Sequence, residues 1–346
     1  MKSKVTIIGD GAMATLSSLL LTESGCDVRL YSAFADHAEQ LAELRENQRF
    51  LPDVEIPSAV AILTDPAEAM LGADFAVVAV PTQYIRGWLG PLAPHVHEDL
   101  PIVSVAKGIE NDTLLRPTQI IAHTLAGGSK DDEISLDRPP HRDRMVVLSG
   151  PCIAPEVARK LPATVTVAAE DQPLAERVQQ MFSLDYFRVY SSTDVVGLET
   201  AGATKNVIAI AAGVLDGLQL GDNAKAALLA RGLAEITRLG VALGAQPETF
   251  AGLGGVGDLV TTCISPEGRN RSFGQRIGQG VSVHESLNAT ESVVEGVATT
   301  RSVVEIARRN SVDMPITRAV SRVLFEGRPP RDAIANLMTR PLKAES

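Results

Sequence analysis

KVTIIGDGAMA, residues 4–14, is the stretch that decides the fold of this 346-residue chain. The apolar run Lys4–Ile8 ends at a glycine, which is typical of a buried strand, and a helical pattern follows over residues 12–22. Between them lies a GxGxxA motif, whose first glycine permits a tight turn and whose second lets the backbone approach a pyrophosphate. The helix N-terminus offers free N–H groups to phosphates, so the stretch predicts a dinucleotide-binding turn. Its predicted cofactor-binding residues are Gly9, Gly11, Ala12, Met13 and Ala14.

Strand-like and helix-like segments alternate from this stretch to about residue 190. Further strands are predicted at residues 28–31, 60–63, 75–80, 102–105, 145–149, 163–168 and 187–190, and a helix at residues 35–46. Continuous apolar runs such as residues 75–80 are typical of a parallel sheet that is covered on both faces. The alternation predicts an α/β fold with a Rossmann-type doubly wound sheet.

Helical patterns dominate the chain after Asp194. Residues 195–217 predict one helix and residues 223–243 another, the second with Asn223 as its N-cap. We therefore predict a dinucleotide-binding Rossmann domain over residues 1–193 and an all-α substrate and catalytic domain over residues 194–346. The polar, proline-containing residues 127–144 predict a surface insertion in the first domain.

Composition argues against several classes of function. The net charge of −10 disfavours a nucleic-acid partner and docking on anionic membranes, and an anionic substrate would need a local basic site. The three cysteines indicate a reducing compartment without a disulfide framework, and no Cys/His cluster has zinc-ligand spacing. The N-terminus lacks the apolar core of a signal peptide, and no apolar run approaches the length of a membrane span. We expect a soluble, cytoplasmic protein without a metal.

One lysine stands out in the first helix of the second domain. Lys205 is the only Lys or Arg between Arg188 and Lys225, and small apolar residues surround it in the sequence. Burial lowers the pKa of a lysine, so such a group can give and take a proton near neutral pH. Beside a dinucleotide, this favours an enzyme that protonates a carbonyl as hydride arrives. The alternative is a lysine that extends into solvent at the helix surface, and the segment alone leaves both readings open.

Two glycine-rich segments, GLGGVGD and GRNRSFG, form a second cluster in this domain. Arg269 and Asn270 lie just before a predicted helix, and a guanidinium beside an amide is suited to charge-assisted bonds with a phosphate. The alternative is a basic loop that pairs with surface acids. Asp258 would orient or ionise Lys205 if the two meet in space, and would otherwise be a helix N-cap.

Strand ends in the first domain supply further candidates, because ligands bind at the carboxyl edge of such sheets. Lys107 follows a strand and is predicted to contact the substrate or the cofactor phosphates, the alternative being a loop lysine in solvent. The turn SGPCIA places Gly150 and Cys152 where backbone amides would contact ligand oxygens. Tyr84 would stack on the cofactor or be an ordinary core aromatic.

The end of the second strand bears on the choice of nucleotide. It ends at Ser32 without the acid that holds the ribose 2′-hydroxyl of NAD, and Asp36 lies further on. Ser32 can bond either a 2′-hydroxyl or a 2′-phosphate, and no arginine stands where an NADP enzyme often has one. The choice between NAD and NADP therefore stays open. The six histidines have no recognisable acidic partner in the sequence, so we predict no catalytic histidine.

Taken together, these segments resemble the NAD(P)-dependent glycerol-3-phosphate dehydrogenase family. The matching stretches are GDGAMAT, VAVPTQ, SVAKGIE and LSGPCIAPEVA in the first domain, and GLETAGATKNVIAIAAGVLDGL, NAKAALLARGLAEITRLG, GLGGVGDLVTTC and GRNRSFG in the second. They follow the family's order and span nearly the whole chain. The resemblance implies a Rossmann domain followed by a helical domain. It also implies reversible, NAD(P)H-dependent reduction of dihydroxyacetone phosphate to sn-glycerol 3-phosphate, which supplies glycerophospholipid synthesis.

The resemblance further implies roles for individual residues, with Lys205 as the proton donor and acceptor. The substrate-binding residues that it implies are Lys107, Gly150, Cys152, Asn206, Asp258, Gly268, Arg269 and Asn270. The cofactor-binding residues that it adds are Lys107, Ala154, Arg269, Val293 and Glu295. The chain departs from the family where Met13 replaces an aromatic residue, Ala14 a glycine, Cys152 a Ser or Thr, and Gly268 a serine. These changes weaken individual polar contacts but leave the lysine and the arginine in place.

Two other interpretations stay open from the sequence. A related two-domain dehydrogenase, of the ketopantoate reductase or 6-phosphogluconate dehydrogenase type, has the same layout and a helix-borne lysine but does not need the GRNR segment. The second is a cofactor-binding sensor without turnover. The presence of Lys205, Asp258 and Arg269 together argues against it, because a sensor does not need all three. In each case the expected partner is a small molecule, and a homodimer fits an enzyme of this size although no residue indicates one.

Overall fold

The computed structural model describes residues 2–132, 141–290, 292–342 and 344. Its strands are β1 (Lys4–Ile8), β2 (Asp27–Tyr31), β3 (Glu46–Asn47), β4 (Leu51–Glu55), β5 (Ala61–Leu63), β6 (Phe75–Val78), β7 (Ile102–Ser104), β8 (Met145–Ser149), β9 (Ala163–Ala169) and β10 (Phe187–Ser192). The helices among them are α1 (Ala12–Glu23), α2 (Ala35–Leu44), α3 (Pro66–Met70), α4 (Ile85–Leu89), α5 (Pro117–Leu125), α6 (Ala154–Ala158) and α7 (Gln172–Phe182). The helices that follow are α8 (Val195–Gly217), α9 (Gly221–Ala242), α10 (Pro247–Ala251), α11 (Asp258–Ile264), α12 (Arg269–Gly278), α13 (Val283–Asn288), α14 (Glu295–Arg309), α15 (Pro315–Phe325) and α16 (Pro330–Met338).

Eight of these strands form one sheet in the order β10–β9–β8–β7–β6–β1–β2–β5. Neighbouring strands are parallel except β8 and β9, which run antiparallel. The chain leaves β1 for β2 on one side and returns to β6 on the other, so the order reverses at β1. Ligands bind outside the carboxyl ends of the strands at such a switch point. The predicted doubly wound sheet is confirmed.

The sequence patterns did not predict two features of the sheet region. The first is the antiparallel direction of β9, because a buried apolar run reads the same in either direction. The second is the two-stranded ribbon of β3 and β4. The sequence of β4, LPDVE, contains a proline and a single buried residue, so it does not look like a typical strand. The position of the ribbon matters for the site, because Asn47 at the end of β3 is fully buried behind the glycine turn.

The turn after β1 depends on Gly9, whose φ is +131°. A Cβ atom at this position would lie 2.7 Å from the carbonyl oxygen of Ala79, which follows β6. Any larger residue would therefore be strained and would push β1 and β6 apart. The turn places Gly11, with an extended backbone, at the N-cap of α1. No side chain caps this helix.

Helix α8 is the central element of the helical region and contacts α9, α11, α12 and α14. Its N-cap Asp194 accepts a hydrogen bond from the backbone N–H of Gly197 at 2.8 Å. A Cβ at Gly213 would lie 1.9 Å from the carbonyl oxygen of Arg271 on α12, so only glycine allows the two helices to approach this closely. The predicted domain boundary at residue 193 falls between β10 and α8 and stays a prediction.

Three further expectations concern segments away from the site. The predicted N-cap Asn223 is wrong, because α9 begins at Gly221 after Leu220 and no side chain caps it. The predicted insertion at residues 127–144 lies partly outside the described residues, at 133–140. At its end Arg144 is buried and donates a hydrogen bond to the carbonyl of His97 at 2.8 Å, so this end is anchored in the fold. Among the described residues, no helix is long and apolar enough to cross a membrane.

Candidate active site

Two lysines from the two halves of the chain meet on one carboxylate. Lys205 Nζ on α8 donates to Asp258 Oδ1 at 2.6 Å, and Lys107 Nζ, beyond β7, donates to Asp258 Oδ2 at 2.7 Å. Lys205 is 7% exposed and Asp258 is 2% exposed, so the lysine does not extend into bulk solvent. Asp258 is the first residue of α11 and caps no helix, so the N-cap alternative is wrong and the contact with Lys205 is present.

The environment of Lys205 sets its proton affinity. The pKa of Lys205 is lowered from 10.5 to about 8, because burial, and to a smaller extent the charge of Lys107, outweigh the opposing effect of Asp258. A group with a pKa close to neutral exists in both protonation states near physiological pH, which is what a reversible proton donor requires. The arrangement thus gives the site an acid and base without a histidine.

The turn after β8 holds Lys107 in place. The carbonyl oxygen of Gly150 accepts a hydrogen bond from Lys107 Nζ at 2.9 Å, so this turn presents a carbonyl to the lysine. The contacts of its amides with ligand oxygens stay a prediction. Cys152 follows two residues later, and burial raises the pKa of its thiol to about 11. The thiol is therefore protonated at neutral pH and offers only a weak donor where a hydroxyl would be stronger.

A second group of side chains surrounds the start of α12. Asn270 Oδ1 accepts a hydrogen bond from the N–H of Gly296 at 2.9 Å, which ties the start of α12 to the start of α14. Asn206 Nδ2, one residue beyond Lys205, donates to the carbonyl of Lys107 at 3.2 Å. A Cβ at Gly296 would lie 2.8 Å from the carbonyl oxygen of Asn206. These contacts bring the start of α12 next to the lysine pair.

Arg269 is the first residue of α12, after the extended N-cap Gly268, and no side chain caps this helix. Its guanidinium is exposed and has no hydrogen-bond partner within the part of the chain that the structure describes. An uncapped helix N-terminus, a free guanidinium and the remaining amide hydrogens of Asn270 form a suitable set of donors for a phosphate group.

Glu295 connects the helical region to the sheet. Its Oε1 accepts a hydrogen bond at 2.9 Å from the N–H of Thr82, which follows β6 at the carboxyl edge. Burial raises the pKa of the Glu295 carboxyl, and the bond from Thr82 and the charge of Arg269 act against this rise. Sequence reasoning missed Thr82, although the strand end at VAVPTQ could have indicated it. Val293 is half-buried just before α14.

The residues around the glycine turn fit a dinucleotide. A Cβ at Gly11 would meet no atom within 4 Å, so the space beside the uncapped N-terminus of α1 is open. Ala154 is buried at the start of α6, and Tyr84 is 52% exposed beyond β6. Met13 is half-buried and Ala14 fully buried in α1. The geometry leaves room for a dinucleotide at this turn, and the contacts of these residues with a cofactor stay predictions.

Ser32 lies fully buried at the end of β2, and its hydroxyl donates to Asp10 Oδ2 at 2.6 Å. The same carboxylate oxygen lies 3.0 Å from Nδ1 of His37. The expectation that no histidine has an acidic partner is therefore wrong. The pair escaped sequence reasoning because the fold, not sequence proximity, brings the turn after β1 against α2.

The fold, a Rossmann-type domain followed by a helical domain, is that of an NAD(P)-dependent dehydrogenase. Family models described as NAD-dependent glycerol-3-phosphate dehydrogenase N-terminus and C-terminus match residues 4–175 and 194–335. The chain belongs to this glycerol-3-phosphate dehydrogenase family and is an oxidoreductase.

Individual relatives agree with the family match. The chain is 45% identical over 346 residues to an NAD(P)+-dependent glycerol-3-phosphate dehydrogenase of Geobacter sulfurreducens, covering 100% of this chain and 99% of that protein. A crystal structure of glycerol-3-phosphate dehydrogenase from Coxiella burnetii superposes with a TM-score of 0.89 at 33% identity, covering 98% of this chain and 99% of that one. A ketopantoate reductase from Ralstonia eutropha reaches a TM-score of 0.55 at 13% identity over 97% and 99% of the two chains, which shows a shared fold alone. The alternative dehydrogenase is thus not favoured.

Proposed function

We propose that the chain reduces dihydroxyacetone phosphate to sn-glycerol 3-phosphate with NAD(P)H, reversibly, and so supplies glycerophospholipid synthesis. The observation that carries this function is the buried Lys205, held on Asp258 at 2.6 Å beside the free donors at the start of α12. Relatives with nearly the same length carry this enzyme name. We further propose that the enzyme works in the cytoplasm. The expected homodimer stays a prediction that light scattering of the purified protein tests.

The proposed mechanism assigns separate tasks to the two ends of the substrate. Arg269 and Asn270 bind its phosphate, and the start of α12 adds backbone N–H groups. NAD(P)H, when bound, supplies the hydride that adds to C2 of the substrate. As the C=O π bond breaks, Lys205 Nζ gives its proton to the carbonyl oxygen and becomes neutral. Lys107 stabilises the developing oxyanion from the other side of Asp258, which holds both lysines in position.

A direct assay tests the function. NADH or NADPH oxidation is followed by absorbance with dihydroxyacetone phosphate, with ketopantoate and with unphosphorylated dihydroxyacetone. We expect turnover with the phosphorylated ketone and far slower turnover with the other two, because only the former uses the donors around Arg269. Equal turnover of ketopantoate would favour the related dehydrogenase, and no turnover with any substrate would favour the sensor.

The pH dependence of the two directions should be opposite. Reduction needs protonated Lys205 and oxidation needs the neutral amine, and the pKa of this group is about 8. We therefore expect kcat/KM for dihydroxyacetone phosphate to fall as pH rises through about 8, and kcat/KM for glycerol 3-phosphate to rise over the same interval. Initial rates between pH 7 and pH 10 check this. Profiles that move in the same direction would contradict a single proton donor.

Replacing Arg269 by alanine should weaken phosphate binding without disturbing the fold, because this exposed guanidinium forms no ion pair with the described residues. We expect KM for dihydroxyacetone phosphate to rise by roughly 10- to 100-fold, since hydrogen bonds to charged groups contribute about 1.5–3 kcal/mol. Turnover of unphosphorylated dihydroxyacetone should be unchanged. Arg331→Ala, at an exposed arginine of α16, is the matched control. An equal loss with both substrates would place Arg269 outside the phosphate site.

A further inference from the structure

One face of α8 packs against the sheet region. Glu199, Gly202 and Asn206 are spaced by three and four residues, so they lie on the same face of this helix. A Cβ atom at Gly202 would lie 2.9 Å from the hydroxyl oxygen of Ser149 at the end of β8. Asn206 donates to the carbonyl oxygen of Lys107, beyond β7, at 3.2 Å. This face of α8 therefore lies directly on the strand ends that form the candidate active site.

Glu199 is the charged residue of this face, and its carboxylate is fully buried. Its Oε1 accepts a hydrogen bond from the backbone N–H of Thr118 at 2.8 Å, and its Oε2 accepts one from the hydroxyl of Thr118 at 2.8 Å. Oε2 also forms an ion pair with the guanidinium of Arg116, the N-cap of α5. Glu199, Arg116 and Thr118 thus form a clamp between α8 and α5. Because a buried carboxylate that loses its partners is costly, the clamp resists displacement of α8 from the sheet region.

The clamp lies on the same helix as Lys205. Lys205 follows Glu199 by six residues, which is about 9 Å along the axis at 1.5 Å per residue. Asp258, the partner of Lys205, also belongs to the helical region, whereas Lys107 belongs to the sheet region. The position of α8 on the sheet region therefore decides whether Lys107 reaches the carboxylate that Lys205 holds.

The same contact sets the surroundings of the Lys205 ammonium group. Burial and the charge of Lys107 lower its pKa, and Asp258 raises it. Two thiols, Cys263 on α11 and Cys152 after β8, also interact with this group, and burial raises their pKa values to about 12 and about 11. If α8 moves away from the sheet region, Lys107 withdraws and water enters, while Asp258 stays with Lys205. Both changes raise the pKa of Lys205.

We propose that Glu199 is a positioning residue of the reaction, whose clamp fixes α8 on the sheet region and thereby keeps Lys205 shielded from water and next to Lys107. Glu199 acts through Lys205, at a distance of nearly two helical turns. The proposal rests on the proposed role of Lys205 as the proton donor. It extends the active site to a residue that the sequence patterns did not single out.

The test compares kinetics and pH dependence in Glu199→Gln. Glutamine keeps the shape of the side chain and an acceptor for the N–H of Thr118, but it removes the charge that holds Arg116. We expect kcat for reduction of dihydroxyacetone phosphate to fall roughly 10- to 100-fold, because a misplacement of about 1 Å can cost about 100-fold. The pH at which this rate declines should move above the wild-type midpoint of about 8. Affinity for NADH should change little, because its predicted site is the glycine turn.

Glu235→Gln is the matched control. Glu235 on α9 is equally buried, and its carboxylate accepts hydrogen bonds from the N–H groups of Ile316 and Thr317 and from the hydroxyl of Thr317. The bonding pattern resembles that of Glu199, but it joins two helices of the helical region. Glu235→Gln should lower the melting temperature and leave kcat and the pH midpoint at their wild-type values. A merely structural role of Glu199 would give this same result in Glu199→Gln.

Thr118→Val is a second variant, which serves if Glu199→Gln does not fold. It removes the hydroxyl of the clamp alone and should change kcat and the pH midpoint in the same directions, by less. A wild-type kcat or an unchanged pH midpoint in a folded clamp variant would overturn the proposal. Absence of turnover in the wild-type protein would instead overturn the proposed function, before any variant is compared.

Discussion

Lys205→Met should lower kcat for reduction of dihydroxyacetone phosphate by roughly 100- to 10,000-fold, while affinity for NADH stays within about twofold. The reason is that we propose Lys205 as the proton donor, and general acid catalysis by a positioned group contributes about that much. Methionine is unbranched and apolar, so it fills the buried position that the lysine stem occupies. Asp258 keeps its ion pair with Lys107 at 2.7 Å in this variant, so no carboxylate is left unpaired.

Stopped-flow single turnover and NADH fluorescence titration measure the two quantities separately. Lys160→Met is the matched control, because this lysine is exposed and pairs with Glu23 on the surface at 2.8 Å. Its kcat should equal the wild-type value. Lys205→Ala leaves space for a small primary amine, so added methylamine should restore part of the lost rate. A Lys205→Met enzyme that keeps a tenth of the wild-type kcat would show that another group supplies the proton.

Local patterns in the sequence predict the parts of the fold that depend on neighbouring residues. The GxGxxA turn, the strands β1 and β8 and the helix α8 lie where their patterns place them, because each is specified by periodicity and by the residues at its ends. Lys205 stands out for the same reason, since an isolated charge in an apolar helix is visible without the structure.

The partners of these residues depend on contacts between distant segments. Lys205 and Asp258 are 53 positions apart, and Lys107 and Asp258 are 151 apart. The sequence suggested Asp258 as a partner of Lys205 but gave no sign that one carboxylate serves both lysines. The contact between Asp10 and His37 could not be predicted from the sequence either, because the order of strands in the sheet brings their elements together. Periodicity predicts which face of an element is buried but not what that face meets.

The shared carboxylate makes Asp258→Asn the second substitution with a large expected effect. Asparagine keeps the size of the side chain but leaves two ammonium groups facing each other in a buried site, at positions where they now lie 2.6 and 2.7 Å from the carboxylate. Removing one member of a buried ion pair typically costs about 3–5 kcal/mol of unfolding free energy. Urea unfolding should show a loss of that order.

The same substitution should also change the pH profile. The charge of Asp258 raises the pKa of Lys205 against the effects of burial and of Lys107. Without that charge the pKa of Lys205 falls below about 8, so the reduction rate should decline at a lower pH than in the wild type. Asp216→Asn is the matched control, because Asp216 also pairs with two basic groups, Lys225 and Arg271, away from Lys205. It should leave the midpoint of the profile unchanged.

A double substitution separates the loss of charge balance from a loss of packing. In Lys107→Met with Asp258→Asn, one of the two ammonium groups disappears together with the carboxylate, so the remaining lysine no longer faces a like charge. The double variant should therefore unfold at a higher urea concentration than Asp258→Asn alone, with a favourable coupling energy of roughly 1–3 kcal/mol. If the two losses in unfolding free energy simply add, the lysines do not repel each other through this position, and Asp258 acts only as a packing residue.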